Sequence, residues 1–266
     1  SENDANVEFV SEADSDALAQ AVIDWKSDCI VVSPGIPAHH PIFSAAETAG
    51  IELIGEVELA WRLQEDSEHA GRPWLCVTGT NGKTTTVGML GAMLRAEGEK
   101  DVEVGHIGLH ICEAVDTDAT VFAVELSSFQ LHTVSTVSPL ASVCLNVDAD
   151  HLDWHGSAQA YAADKAKVYH LTQKACFYPA SDITVENMVA EADVVEGARA
   201  IGLTLGIPSI SQVGWVEDAL VERAFVEKRH MQAQFLAEVD DLRVAYHDGV
   251  TDAARMDATA AAGLAR

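Results

Sequence analysis

LCVTGTNGKTTTVGML, residues 75–90, decides how this chain is read. Leu75, Cys76 and Val77 form an apolar run that predicts a buried strand. Thr78-Gly79-Thr80-Asn81-Gly82 is a polar turn. Lys83-Thr84-Thr85-Thr86 then opens a segment with apolar residues at helical spacing, Val87, Leu90, Met93 and Leu94. Strand, glycine loop and Lys-Thr at a helix start make a phosphate cradle. Backbone N–H groups of the loop and the helix N-terminus face the anion, a lysine adds a point charge, and the first threonine hydroxyl can ligate Mg²⁺. The commoner, longer loop would have its first glycine at position 77. Val77 stands there and Gly79 serves instead, so the match is to the shorter G-T-N-G-K-T form.

Outward from this unit, strands alternate with helices, which predicts an α/β fold with a mainly parallel sheet. Upstream, strands are expected at 7–10, 29–32 and 51–54, and helices at 15–26, 41–49 and 56–64. Three short strands make a thin sheet for a Rossmann-like domain, and no opening strand with a glycine-rich turn precedes them. The chain is therefore expected to begin partway through such a domain, covering residues 1–65. The polar stretch DSEHAGRP, residues 66–73, reads as a linker, with a central domain over 66–266. Downstream, strands are expected at 102–107, 120–125, 141–147 and 175–178. Helices are expected at 157–172, 184–192 and 251–265. Residues 200–245 read as β-rich and irregular, with a hairpin from 213–216 and 219–221.

Composition narrows the function classes. A net charge of −26, from 42 acidic and 16 basic residues, argues against nucleic acid and anionic membrane as partners. Any anion site must then be built locally from backbone dipoles and a few lysines. Cys29, Cys76, Cys112, Cys144 and Cys176 contain no C-x-x-C pair, and three of them sit in apolar runs as small core residues. An odd count of scattered cysteines and an acidic, polar start predict a reducing, cytoplasmic setting, and no apolar run nears a membrane span. His39-His40 lacks zinc-type spacing and reads as surface loop.

In an open parallel sheet, ligands sit beyond the carboxyl ends of the strands. The loop 78–84, His106, residues 125–130 and residues 146–151 all fall there. Glu125 reads either as a capping acid or as a Mg²⁺ ligand, Mg²⁺ being an oxygen-seeking ion beside nucleotide phosphates. His151 alone is as readily a loop histidine. Lys165 alone is a surface lysine on its helix.

Four separated motifs change that weighting: V-T-G-T-N-G-K-T-T-T at 77–86, E-L-S-S-F-Q-L at 125–131, N-V-D-A-D-H-L-D-W-H-G at 146–156 and Y-A-A-D-K-A-K-V-Y at 161–169. In content, order and spacing they resemble the Mur ligase family. S-P-G-I-P at 33–37 and A-R-A-I-G-L-T-L-G-I-P-S at 198–209 are similar to the D-glutamate-adding branch. The resemblance implies a P-loop NTPase-like central domain preceded by part of a Rossmann-like, UDP-substrate-binding domain. It implies an ATP-dependent ligase of peptidoglycan synthesis that joins D-glutamate to UDP-N-acetylmuramoyl-L-alanine through an acyl phosphate.

By the same resemblance, Gly79, Thr80, Asn81, Gly82, Lys83, Thr84 and Thr85 hold ATP, with Lys83 on the β- and γ-phosphates. Thr84 and Glu125 hold one Mg²⁺, and His151 and Lys165 serve a second, Lys165 as a carbamate. Such a carbamate needs a lysine whose pKa is lowered by burial near cations. Ser33, Gly35, His106 and Ser127 lie along the muramoyl-alanine substrate. A monomer is expected.

Departures accompany the match. His106 stands where the family has asparagine, which changes reach and adds a titrating ring. On the adenine side, Asp248 or Asp252 stands in for an asparagine. The front of the uridine-nucleotide domain and the C-terminal glutamate-binding domain are expected to lie outside these residues. Two alternatives stay open: another superfamily member such as a folylpolyglutamate synthase, or an ATP·Mg²⁺-binding fragment without ligase activity, since closure of a third domain would complete the site.

Overall fold

The computed structural model describes residues 14–105, 109–242 and 250–266. The expected strand at 7–10 lies outside them. A small first layer comprises α1 (Ser15–Asp24), β1 (Cys29–Val32), α2 (Pro41–Ala49) and β2 (Glu52–Gly55). The two strands pair in parallel, Ile30 opposite Leu53. Asp14 caps α1 by accepting from the Asp16 N–H. The His40 ring caps α2 at 3.2 Å from the Ile42 N–H, so this histidine is a helix cap. Ala19, Ile30, Ile42 and Ala46 form its core.

Helix α3 (Glu56–Glu65) follows β2 without a loop, yet it packs into the core of a second, larger sheet. Its Val57, Ala60 and Trp61 lie among Trp74, Phe122 and Leu126, with Trp61 edge-on to Trp74 at 5.1 Å. The buried Glu58 carboxylate accepts from the Ser135 and Thr136 N–H groups, each at 2.9 Å, and from Arg62 Nε at 2.9 Å. Every charged oxygen thereby gains a partner, as burial requires.

The larger sheet is built from β3 (Trp74–Thr78), α4 (Lys83–Ala96), β4 (Asp101–Gly105), α5 (Ile111–Ala114), β5 (Val121–Glu125), α6 (Ser128–His132) and β6 (Ala141–Cys144). It continues through α7 (Leu152–His155), α8 (Ala158–Ala166), β7 (Ala175–Pro179), α9 (Ile183–Glu191), β8 (Arg199–Leu203) and β9 (Gln212–Val216). The chain ends with β10 (Ala219–Glu222), β11 (Gln234–Glu238), α10 (Val239–Leu242) and α11 (Asp252–Leu264). Nine strands run in the order β11-β10-β9-β8-β7-β6-β3-β5-β4. All pairings from β4 to β9 are parallel, and among the described residues only the pairings of β10 with β9 and with β11 are antiparallel.

Strand alternation feeds two cores. Leu75 and Val77 of β3 point to one face with Val87, Leu90, Ala258 and Ala261, under α4 and α11. Trp74 and Cys76 point to the other with Phe122, Val124 and Tyr169. Each such large apolar side chain contributes about 1.5–3 kcal/mol on burial. β3 lies between β5 and β6, so its carboxyl end opens where the chain departs in two directions, the position for a ligand crevice.

Two expectations need correction. The helix at 157–172 ends as α-helix at Ala166 and tightens into a 3₁₀ turn at Lys167–Tyr169. That turn carries the Tyr169 hydroxyl to the Cys144 N–H at 2.9 Å and the Phe177 carbonyl at 2.7 Å, a tie between strands that a straight helix would not make. The β-rich region also holds strands at Arg199–Leu203 and Gln234–Glu238 besides the hairpin, both too weakly alternating to stand out in sequence.

Candidate active site

The loop between β3 and α4 is held from below. Thr80 N–H donates to the Asn146 carbonyl at 3.1 Å, and Asn81 and Asn146 exchange bonds, Asn81 N–H to Asn146 Oδ1 at 2.9 Å and Asn146 Nδ2 to Asn81 O at 3.1 Å. The Thr80 hydroxyl meets the Tyr161 hydroxyl at 3.0 Å. Gly82 starts the helix at φ +86, a left-handed conformation, and a Cβ there would lie 2.5 Å from Asp257 Oδ1. Only glycine fits both conditions. Thr84 and Thr85 are exposed in the first turn of α4, whose orphan N–H groups suit an anion.

Glu125 ends β5, paired with Val77 on one side and Gly105 on the other. Gly105 is needed there, because a Cβ would lie 2.1 Å from the Glu125 carbonyl oxygen. The register brings the Glu125 carboxylate to Thr84, whose hydroxyl donates to Oε2 at 2.9 Å. A hydroxyl and a carboxylate at a phosphate loop are the oxygen donors Mg²⁺ takes, so this pair fits that ion.

Lys165 is not the surface lysine its helix position suggested. It is 2 % exposed, and its Nζ donates to the Gly79 carbonyl at 2.7 Å while lying 4.8 Å from the Tyr161 ring. Lys83 Nζ donates to the same carbonyl at 3.0 Å and to that of Thr80 at 3.1 Å. Burial brings the Lys165 pKa down to about 8; the charge on Lys83 works in the same direction and that on Asp150 against it.

His151 stays at the rim, half exposed, at φ +49, with its ring 4.8 Å from Phe129 and its Nε2 3.5 Å from Asp150. Ser127 caps α6 in a capping box with Gln130, whose amide reaches Glu56 of α3 at 2.9 Å. Ser33 and Gly35 lie in the turn after β1, the Gly35 N–H 3.4 Å from Ser33 Oγ. His106 and Asp248 fall outside the described residues. Asp252 is exposed at the start of α11.

Sequence reasoning missed a buried network beside this rim. Asp164, next to Lys165, accepts from His132 Nδ1 at 2.8 Å, His155 Nδ1 at 3.0 Å and Lys167 Nζ at 3.0 Å. The other nitrogen of His155 meets the hydroxyl of Ser128, next to Ser127, at 2.9 Å. Burial keeps His155 below the usual histidine pKa. The network ties the helix that carries Lys165 to the turn that follows Glu125. All of its residues except His132, which directly follows the 125–131 motif, lie within the motifs, but nothing in their spacing pairs them.

Residues 77–203 match the family described as Mur ligase middle domain. The UDP-N-acetylmuramoylalanine–D-glutamate ligase of Streptomyces coelicolor is 48% identical over 242 residues, covering 90% of this chain and 50% of that protein. The ligase of the same name from Leifsonia xyli is 44% identical over 250 residues, covering 90% of this chain and 48% of its own length. The chain thus spans about half the length of the curated relatives it matches. Among solved structures, the UDP-N-acetylmuramate:L-alanyl-gamma-D-glutamyl-meso-diaminopimelate ligase of Neisseria meningitides overlays with a TM-score of 0.53 at 17% identity, covering 93% of this chain and 76% of that one, a likeness of fold. This chain carries a Mur ligase middle domain over residues 77–203.

Proposed function

We propose that the chain is the ATP-activating part of a ligase that adds D-glutamate to UDP-N-acetylmuramoyl-L-alanine in peptidoglycan synthesis. Residues 1–55 would belong to the UDP-substrate domain, and α3, expected within it over 1–65, joins residues 66–266 in the ATP-binding domain, in whose core it packs. One observation carries the reading. The amines of Lys83 and Lys165 converge on a single carbonyl, that of Gly79, at 3.0 and 2.7 Å. Two cations so close repel each other unless a polyanion or a change of charge relieves them. ATP phosphates on the loop relieve the first lysine, and loss of its proton relieves the second.

In the proposed reaction the terminal carboxylate of the UDP-linked substrate attacks the γ-phosphorus and ADP departs. The amine of D-glutamate then displaces phosphate from the acyl phosphate, leaving an amide. Such transfer is mainly positioning and charge neutralisation. Lys83 would leave the Gly79 and Thr80 carbonyls for the β- and γ-phosphates. Thr84 and Glu125 would hold Mg²⁺, which neutralises phosphate charge when bound. As an amine bonded to a carbonyl, Lys165 offers no oxygen to a cation. The neutral amine can add CO₂ with loss of a proton, and the resulting carbamate, with His151, fits a second Mg²⁺. Ser127, Ser33, Gly35 and His106 would line the substrate.

A second reading is favoured by the chain's spanning half of its relatives: ATP·Mg²⁺ binding without ligation by these residues alone. Calorimetry with ATP and Mg²⁺ tests the shared core of both, and absence of binding refutes it. Phosphate release that requires both UDP-N-acetylmuramoyl-L-alanine and D-glutamate selects ligation over binding alone.

A further inference from the structure

Asp257 lies on α11, in a helix otherwise made largely of alanine, and nothing in the proposed reaction uses it. Helix α11 packs along α4, the helix that opens on the phosphate loop. The Asp257 carboxylate therefore sits under the first turn of α4. Oδ1 is 3.3 Å from the Thr86 hydroxyl and fills the space where Gly82 has no side chain. Among the described residues, the groups around it provide no counter-charge. Lys83 is turned to the carbonyls of Gly79 and Thr80. Arg255 is held by Asp218 and the Glu217 carbonyl, and Arg199 of β8 by the Ala224 carbonyl. Asp252, on the same helix, is exposed at its start. Cys144 of β6 and Cys176 and Tyr178 of β7 lie on the opposite face of the sheet, in the core with Trp74 and Phe122.

Resting on the reading of this loop as a nucleotide site, we propose that Asp257 sets nucleotide affinity: its carboxylate occupies the positive end of α4 and opposes the phosphates, so binding is coupled to protonation of Asp257. An anion at a helix N-terminus is stabilised by the same N–H groups that would hold phosphate, and two anions there compete. Burial already raises the Asp257 pKa to about 6, against an ordinary 3.8, with the Thr86 hydroxyl pulling the other way. Phosphate nearby raises it further. Below about pH 6 Asp257 is protonated with or without nucleotide and exacts no penalty. Above that pH it is charged in the free protein, so nucleotide binding either takes up a proton or works against the charge.

The test is calorimetry of ATP·Mg²⁺ binding at pH 5 and pH 7.5, comparing the chain with D257N, which keeps the bond from Thr86 and the side-chain volume. The expected result is an affinity about threefold to tenfold tighter in D257N at pH 7.5, a gap that closes at pH 5, the size of a partly screened charge–charge interaction. Titrations in buffers of different ionisation enthalpy are expected to give less proton uptake for D257N than for the parent at pH 7.5. D257A, which also loses the Thr86 bond, is expected to share the gain in affinity. Equal affinities at both pH values, or weaker binding by D257N at pH 7.5, overturn the inference while leaving the nucleotide site standing. Binding by neither protein overturns the site itself and the inference with it.

Discussion

Replacing Lys165 by methionine should stabilise this protein at neutral pH, against the usual cost of losing a buried hydrogen bond. The Lys165 pKa falls from an ordinary 10.5 to about 8 in the fold, chiefly through burial. A fall of about 2.5 corresponds to about 3 kcal/mol of destabilisation while the amine is protonated in both states. The sign follows from proton counting. Below about pH 8 folded and unfolded chains both carry the proton, and the full penalty applies. Between about 8 and 10.5 the unfolded chain binds more protons than the folded one, so stability rises with pH and the penalty disappears. Methionine keeps a straight apolar stem but forfeits the bond to the Gly79 carbonyl and the contact with Tyr161, about 1 kcal/mol together. The net expectation at pH 7 is a gain of about 2 kcal/mol, or about 4–8 °C in Tm for a chain of this size. Urea unfolding at pH 7 and pH 10.5, in CO₂-free buffer, measures it. The gain should vanish at the higher pH, and bicarbonate should stabilise the parent and not the variant. A variant less stable than the parent at pH 7, or a gain that does not change with pH, refutes the reasoning.

Two further outcomes follow from the packing. Gly82→Ala should cost about 1–3 kcal/mol through its positive φ and the Asp257 oxygen 2.5 Å from the new methyl, and should weaken ATP binding at least about tenfold as the start of α4 shifts. Thermal unfolding and calorimetry measure the two losses, and a variant that binds like the parent contradicts the tight fit. His155→Ala should cost about 2–4 kcal/mol, because the side chain is fully buried and both Ser128 and Asp164 lose a partner. Ser128→Ala should cost only about 1 kcal/mol, and chemical denaturation giving equal losses for the two would break the proposed chain of bonds.

How much of this protein can be read from residue order depends on the range of the interaction. The G-T-N-G-K-T loop, its flanking strand and helix, and the α/β alternation are local. Apolar run, glycine turn and helical spacing lie within one stretch, and the backbone has few other ways to satisfy its N–H groups there. The carboxylate at the end of the 121–125 strand was legible for the same reason, since strand ends in a parallel sheet share one rim. Residue order could not pair Thr84 with Glu125 at 2.9 Å, because the strand order β3-β5-β4 decides that meeting. Nor could it say that Lys165 is buried, since a lysine on a helix is solvated unless another element closes over it, as the loop at Gly79 does. Helix α3 likewise follows the small sheet in sequence but joins the core of the large one. Asp257 lies far along the chain from Gly82, and only the packing of α11 on α4 brings a carboxylate beneath the phosphate loop. Local backbone demands thus determined the loop and the order of elements. The charges that set the site's behaviour depend on contacts distant in sequence, which the tertiary structure alone decides.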